Sequence, residues 1–221
     1  MAEKAFAMGL LRRRQVAVPT WKGLLLLILI AAGLGRAFLA CAHPFLAVTA
    51  PVGGDILAVE GWIPDYALRE ALYAFRARPY RILVATGGPL PPGMPYSSHG
   101  TYARLAAIGL RELGLPPDSL AEAPSPDVMK DRTYTEGLAV RDWMRTQGGK
   151  YSSVDVFSFS THARRSRLLY AMALGPDVRV GVYAPRDAQY DEAHWWRSSN
   201  GVRHVTDEWI AWLYAKFLFR E

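Results

Sequence analysis

The chain has 221 residues, a formal net charge of +6 and a single cysteine, Cys41. That length holds one domain of ordinary size plus an appendage, and one cysteine excludes any intramolecular disulfide. The charge is concentrated: residues 1–52 carry six basic residues against the lone acid Glu3, whereas the rest carries 20 basic and 19 acidic residues. A near-neutral body lacks the broad basic face that nucleic acids require, so no nucleic-acid partner is expected.

The first segment accounts for its own charge. Arg12, Arg13 and Arg14 precede Trp21 and Lys22, and an apolar run follows from Gly23 to Gly35. A helix from Trp21 to about Cys41 would be roughly 30 Å long, the thickness of a bilayer's hydrocarbon core. Arg36 interrupts it where a long stem reaches the far interface. Basic residues before the span and few after it place the N-terminus inside. The expected organisation is therefore a cytoplasmic basic N-terminus (1–20), a transmembrane anchor and exit segment (21–46), a linker (47–54) and one extracytoplasmic domain (55–221). A cleaved signal peptide, or a poor lipoprotein box ending at Cys41, are the weaker alternatives.

Within the body, strand-like runs at 55–61, 81–88, 119–124, 153–160 and 178–185 alternate with helical periodicity at 65–78, 98–113, 133–147, 162–174 and 202–219. Strands apolar nearly throughout, separated by amphipathic helices, predict a parallel sheet covered on both faces. The expected fold is a three-layer α/β/α domain with a doubly wound, mostly parallel, Rossmann-like sheet. Trp209, Trp212 and Phe217 are expected in its core. Ligands of such sheets bind beyond the strands' carboxyl ends, which selects Glu60 to Asp65, Thr86 to Gly88, Lys130 to Glu136 and Ser160 to Arg165.

The last of these stretches is the most informative. "STHARR" places His162, Arg164 and Arg165 in the first turn of a helix, where cations oppose the helix dipole. At about 100° per residue, His162 and Arg165 point along the buried stripe of Leu168 and Leu169. An anion held by these groups and the free helix amides would balance them, with Ser160 and Thr161 as caps; a structural carboxylate, Asp55 or Asp131, is the other way to balance Arg165. Gly87 and Gly88 can turn amides toward an anion, beside the Thr86 hydroxyl. Glu60 ends the first strand and, with His162, is a candidate proton-transfer group. Arg132 and Thr133 open another helix at the same edge, and Thr133 with Glu136 has capping-box spacing. Trp195 and Trp196 are expected to pack over the end of the sheet, the alternative being exposure, to stack on a sugar ring or rest at a membrane interface. No GxSxG, P-loop, GxGxxG or HExxH motif is present, and no histidine pair has zinc spacing. No metal is expected, and no cofactor is indicated.

Taken in order, "DILAVEGW", "TGG", "DRTYTE" and "THARR" resemble the YdcF/SanA/ElyC-like family from about Asp55 to the C-terminus. The resemblance implies a cleft lined by Asp55, Gly87, Gly88, Thr133, His162 and Arg165, a bacterial inner-membrane anchor and a role in envelope integrity, with one branch associated with S-adenosylmethionine. Where many relatives have Thr-x-Glu-Asn, this chain reads Thr133, Tyr134, Thr135, Glu136, the acid displaced by one. The expected function is binding of an anionic, phosphate-bearing small molecule or lipid-linked sugar precursor, with hydrolysis or transfer at a phosphate ester if the protein is an enzyme. The alternatives are a non-catalytic sensor of a nucleotide-like ligand and an envelope interaction protein.

Overall fold

The computed structural model describes residues 17–93 and 97–220, so the Arg12–Arg14 cluster lies outside the described residues. The chain divides into two units, Met1–Phe38 and Leu39–Glu221. Helix α1 (Trp21–Leu46) contributes to both. It is long and apolar enough to cross a membrane by length and composition, and Leu24 to Ile30 are exposed along it. A surface helix of a soluble domain keeps one polar face, whereas a membrane span or a signal sequence is apolar around its length.

In the second unit, strands β1 (Ile56–Glu60), β2 (Ile82–Gly87), β3 (Leu120–Pro124), β4 (Ser153–Phe157) and β5 (Arg179–Tyr183) alternate with helices α2 (Asp65–Ala77), α3 (Tyr102–Glu112), α4 (Arg132–Thr146) and α5 (Ala163–Leu174), and α6 (Ser199–Phe217) closes the order. The five strands pair in parallel in the order β3-β2-β1-β4-β5. Side chains alternate across each strand. Leu57 and Val59 of β1 meet Leu68, Leu72 and Leu110 of α2 and α3, whereas Ile56 and Ala58 join a cluster with Val140, Met144 and Tyr170 of α4 and α5. The expected three-layer, doubly wound architecture is therefore present. Because β2 and β4 flank β1, the chain reverses its winding there, and a crevice opens beyond the carboxyl ends.

The segment 47–54 is part of the domain rather than a linker. Ala50 bridges to Val182, and the amides of Val52, Gly53 and Gly54 donate to the Asp155 carboxylate at 2.7, 3.0 and 3.0 Å. The buried Asp155 also accepts from the Tyr80 hydroxyl at 2.6 Å, and burial and this carboxylate together push the Tyr80 pKa up. The last turns of α1 belong to the domain too: Ala42 and Leu46 form a cluster with Tyr190, Trp195 and Val205. Trp195 packs here, its indole donating to the Leu39 carbonyl at 2.9 Å, and not over the sheet's end. Trp209 and Trp212 are partly buried around Phe45, while Phe217, expected in the core, is exposed.

Candidate functional site

A cavity of about 850 Å³ lies at the carboxyl edge of the sheet, bounded by the loops after β2 and β3 and by α4, α5 and α6. Of the residues singled out in the sequence, Gly88, His162, Arg165 and the start of α4 from Lys130 to Thr133, with Glu136, line it.

α5 delivers its two groups through an abrupt turn. Phe157 ends β4, Ser160 takes a positive φ of 42°, and a 3-10 turn (Ser160–His162) leads into the helix. Ser160 does not cap α5; its hydroxyl lies 3.3 Å from that of Tyr190. One turn apart, His162 and Arg165 converge on Glu208 of α6. His162 Nδ1 is 2.8 Å from Oε1, and Arg165 donates from Nη2 to Oε1 and from Nε to Oε2, each at 2.9 Å. Arg165 is thus balanced by Glu208 and by neither Asp55 nor Asp131. The Arg165 Nη1 group has no protein partner among the described residues.

Arg165 Nη2 also lies 2.8 Å from His162 Nδ1, so that ring nitrogen faces both the Glu208 carboxylate and an arginine, which only donates. The other ring nitrogen, Nε2, lies 3.4 Å from Thr133 Oγ1. The Trp62 ring stands edge-on to the imidazole at 5.1 Å between centroids. Burial alone would raise the Glu208 pKa, but the adjacent His162 and the Arg165 hydrogen bonds hold it well below the usual carboxylate range. Conversely, burial would lower Arg165, and Glu208 more than compensates.

On the opposite wall, α4 starts from Asp131, whose φ of 57° is left-handed, and no side chain caps its first amides. The helix begins at Arg132, so Thr133 and Glu136 form no capping box. Glu136 instead lines the cavity. It is 5% exposed, and its Oε2 has no hydrogen-bond partner among the described residues. Burial and the nearby negative Glu60 raise its pKa well above the ordinary value, against the opposing pull of Arg132 and Arg165. The shift favours the protonated carboxyl, the form able to give a proton. Lys130 and the exposed Arg132 line the rim, and neither forms a salt bridge among the described residues.

The other expected residues lie elsewhere. Asp55 precedes β1 at the opposite, amino-terminal edge, where it accepts from the Ser152 amide and the Ser153 hydroxyl at 3.0 Å each. Glu60 is fully buried behind the cavity wall; Ser158 and Ser166 hydroxyls donate to it at 2.8 and 2.6 Å. Fully buried and outside the cavity lining, it does not reach the space where a ligand would sit, so the proton-transfer role expected of it has no group to act on. The Thr86 hydroxyl donates to the Ala123 carbonyl at 2.9 Å. Gly87 serves packing: its φ is 149°, and a Cβ there would lie 2.6 Å from that of Tyr102. Arg164 turns toward α1, donating to the Phe45 carbonyl with its guanidinium 3.9 Å from the Phe45 ring centroid.

No protein-family model matches the chain, and no curated protein matches it. The site is therefore read from its own chemistry. It joins a carboxylate–imidazole pair, an uncapped helix start and two rim cations to one buried acid.

Proposed function

We propose that this chain is a membrane-anchored protein of the bacterial envelope, similar to the YdcF/SanA/ElyC-like family, that binds a phosphate-bearing anion in the cavity over His162, Arg165 and the start of α4. The anchor reading places the N-terminus in the cytoplasm and the α/β domain outside it. The observation that carries the binding reading is the unpartnered set around one cavity: Arg165 Nη1, Arg132, Lys130 and the first amides of α4. Helix amides and guanidinium groups are the ordinary receptors for phosphate oxygens.

The chemistry that fits is hydrolysis or transfer at a phosphate ester. His162, oriented through Nδ1 by Glu208, takes a proton from water or from an acceptor hydroxyl on Nε2. Glu136 protonates the departing oxygen, and the cations stabilise the charge that builds on the phosphoryl group. The test is a thermal-shift series on the full chain in detergent with pyrophosphate, nucleoside diphosphates, sugar phosphates and a polyprenyl phosphate. At least one should raise the melting midpoint, and Arg132→Ala should reduce that rise. Phosphate release from the stabilising compound, lost in His162→Ala with binding retained, identifies an enzyme; stabilisation without release identifies a sensor. No shift with any anion contradicts the reading.

A further inference from the structure

The C-terminal half of α6 carries a stripe that the fold leaves uncovered. Ile210, Leu213, Tyr214, Phe217 and Leu218 follow an i, i+3, i+4, i+7, i+8 pattern, which puts them on one side of a helix. They are 68%, 43%, 44%, 66% and 69% exposed. The same side of the N-terminal half is mainly polar, with Arg203, Thr206 and Asp207 exposed beside the single apolar Val202, so the continuous apolar stripe lies at the other end. Contiguous apolar surface of this kind marks a docking face.

What lies against it follows from α1. Phe45, near the end of that helix, stacks on Trp209 at 4.7 Å and meets Trp212 edge-on at 5.0 Å. α6 is thus fastened to the final turns of the helix whose preceding residues are apolar enough to cross a bilayer. Exposed Lys216 and Arg220 border the stripe, the arrangement of an interfacial helix whose basic groups meet lipid phosphates. Ala211, Tyr214, Ala215 and Phe219, on and beside the stripe, also line the cavity.

We propose that the 210–218 stripe of α6 lies in the membrane interface, and that the cavity opens toward lipid. The proposal rests on α1 being a retained membrane anchor. It makes the bilayer the source of the ligand, whose phosphate would enter past Tyr214 and Phe219 while an attached apolar chain stayed in the lipid.

The test uses the full chain, one copy per lipid nanodisc of phosphatidylethanolamine and phosphatidylglycerol, in a Cys41→Ser background. Spin labels are placed singly through Ile210→Cys, Leu213→Cys and Phe217→Cys, with Asp207→Cys as the same-helix reference. Labels at 210, 213 and 217 should show higher accessibility to oxygen, and lower accessibility to a water-soluble nickel chelate, than the label at 207. Accessibilities matching position 207 would overturn the proposal. Shielding from both reagents would overturn it as well, because a protein surface and not lipid would then cover the stripe. Neither result touches anion binding, which the thermal-shift series reads independently.

Discussion

Glu208 accepts two hydrogen bonds from Arg165 and lies 2.8 Å from His162 Nδ1, while only 17% of its own side chain is exposed. Removing one partner of such a buried pair leaves an uncompensated charge and costs about 3–5 kcal/mol. Glu208→Gln should lose that much in denaturant titrations at neutral pH. Its folded pKa is lowered from the ordinary 4.5, so the stabilisation is present above 4.5 and is lost as pH falls through the folded value. The gap between wild type and variant should therefore close in acid. Glu136 has the opposite sign. Its pKa is raised from 4.5, so the stability given by its proton is complete below 4.5 and lost as pH rises through the folded value. Glu136→Gln stays neutral throughout and should gain on wild type with rising pH, by about 1.4 kcal/mol for each pH unit over which only the unfolded carboxyl is ionised. Equal pH profiles for Glu136→Gln and wild type would show that the carboxyl is not held neutral. His162, Arg165, Arg132, Thr133 and Gly88 were legible as cavity residues because each sits at a strand-to-helix transition. Glu136 fell within the selected stretch but was expected to cap α4, and Glu208 was missed because its partners come from another helix; the available signal was a lone acid on an apolar helical face, between Val205 and Trp212.

At the scale of elements, apolar strands and amphipathic helices announce themselves by period, and each described strand and helix falls within a few residues of its sequence-predicted span. What the pattern hides is close approach. Gly201 in the first turn of α6 lies against the Trp195 backbone, where a Cβ would come 2.9 Å from the carbonyl carbon. Gly201→Ala should therefore destabilise by about 1–3 kcal/mol, the cost of overpacking, seen as a lowered melting midpoint. An unchanged midpoint would mean that α6 can move away from the 3-10 turn Glu192–Arg197. The segment 47–54 was misread for a related reason. Its glycines and proline read as flexible, and their ordering depends on Asp155, a partner about a hundred residues further along the chain. Asp55 misled in another way: the family resemblance places it in the cleft, whereas the parallel sheet puts the start of β1 at the far edge.

At the scale of the molecule, the domain begins inside the apolar helix and not after it. Leu39, Ala42, Phe45 and Leu46 are built into the cluster around Trp195 and Trp209, and Ala50 to Gly54 complete the cradle of Asp155. A chain starting at residue 53 should consequently melt at a lower temperature than one starting at residue 39, because it loses the first set of contacts and, from the second, Ala50 and Val52; equal midpoints would show that the exit segment contributes nothing to the fold.

The central claim, an anion held between the start of α4 and the His162–Arg165 pair, is tested most directly by locating a heavy oxyanion. Crystals of the full chain soaked in tungstate should show an anomalous peak in the cavity within hydrogen-bonding reach of Arg132 and Arg165 Nη1, and the peak should vanish in Arg132→Ala crystals. A cavity without a peak in the wild-type protein, with tungstate bound elsewhere, would contradict the account.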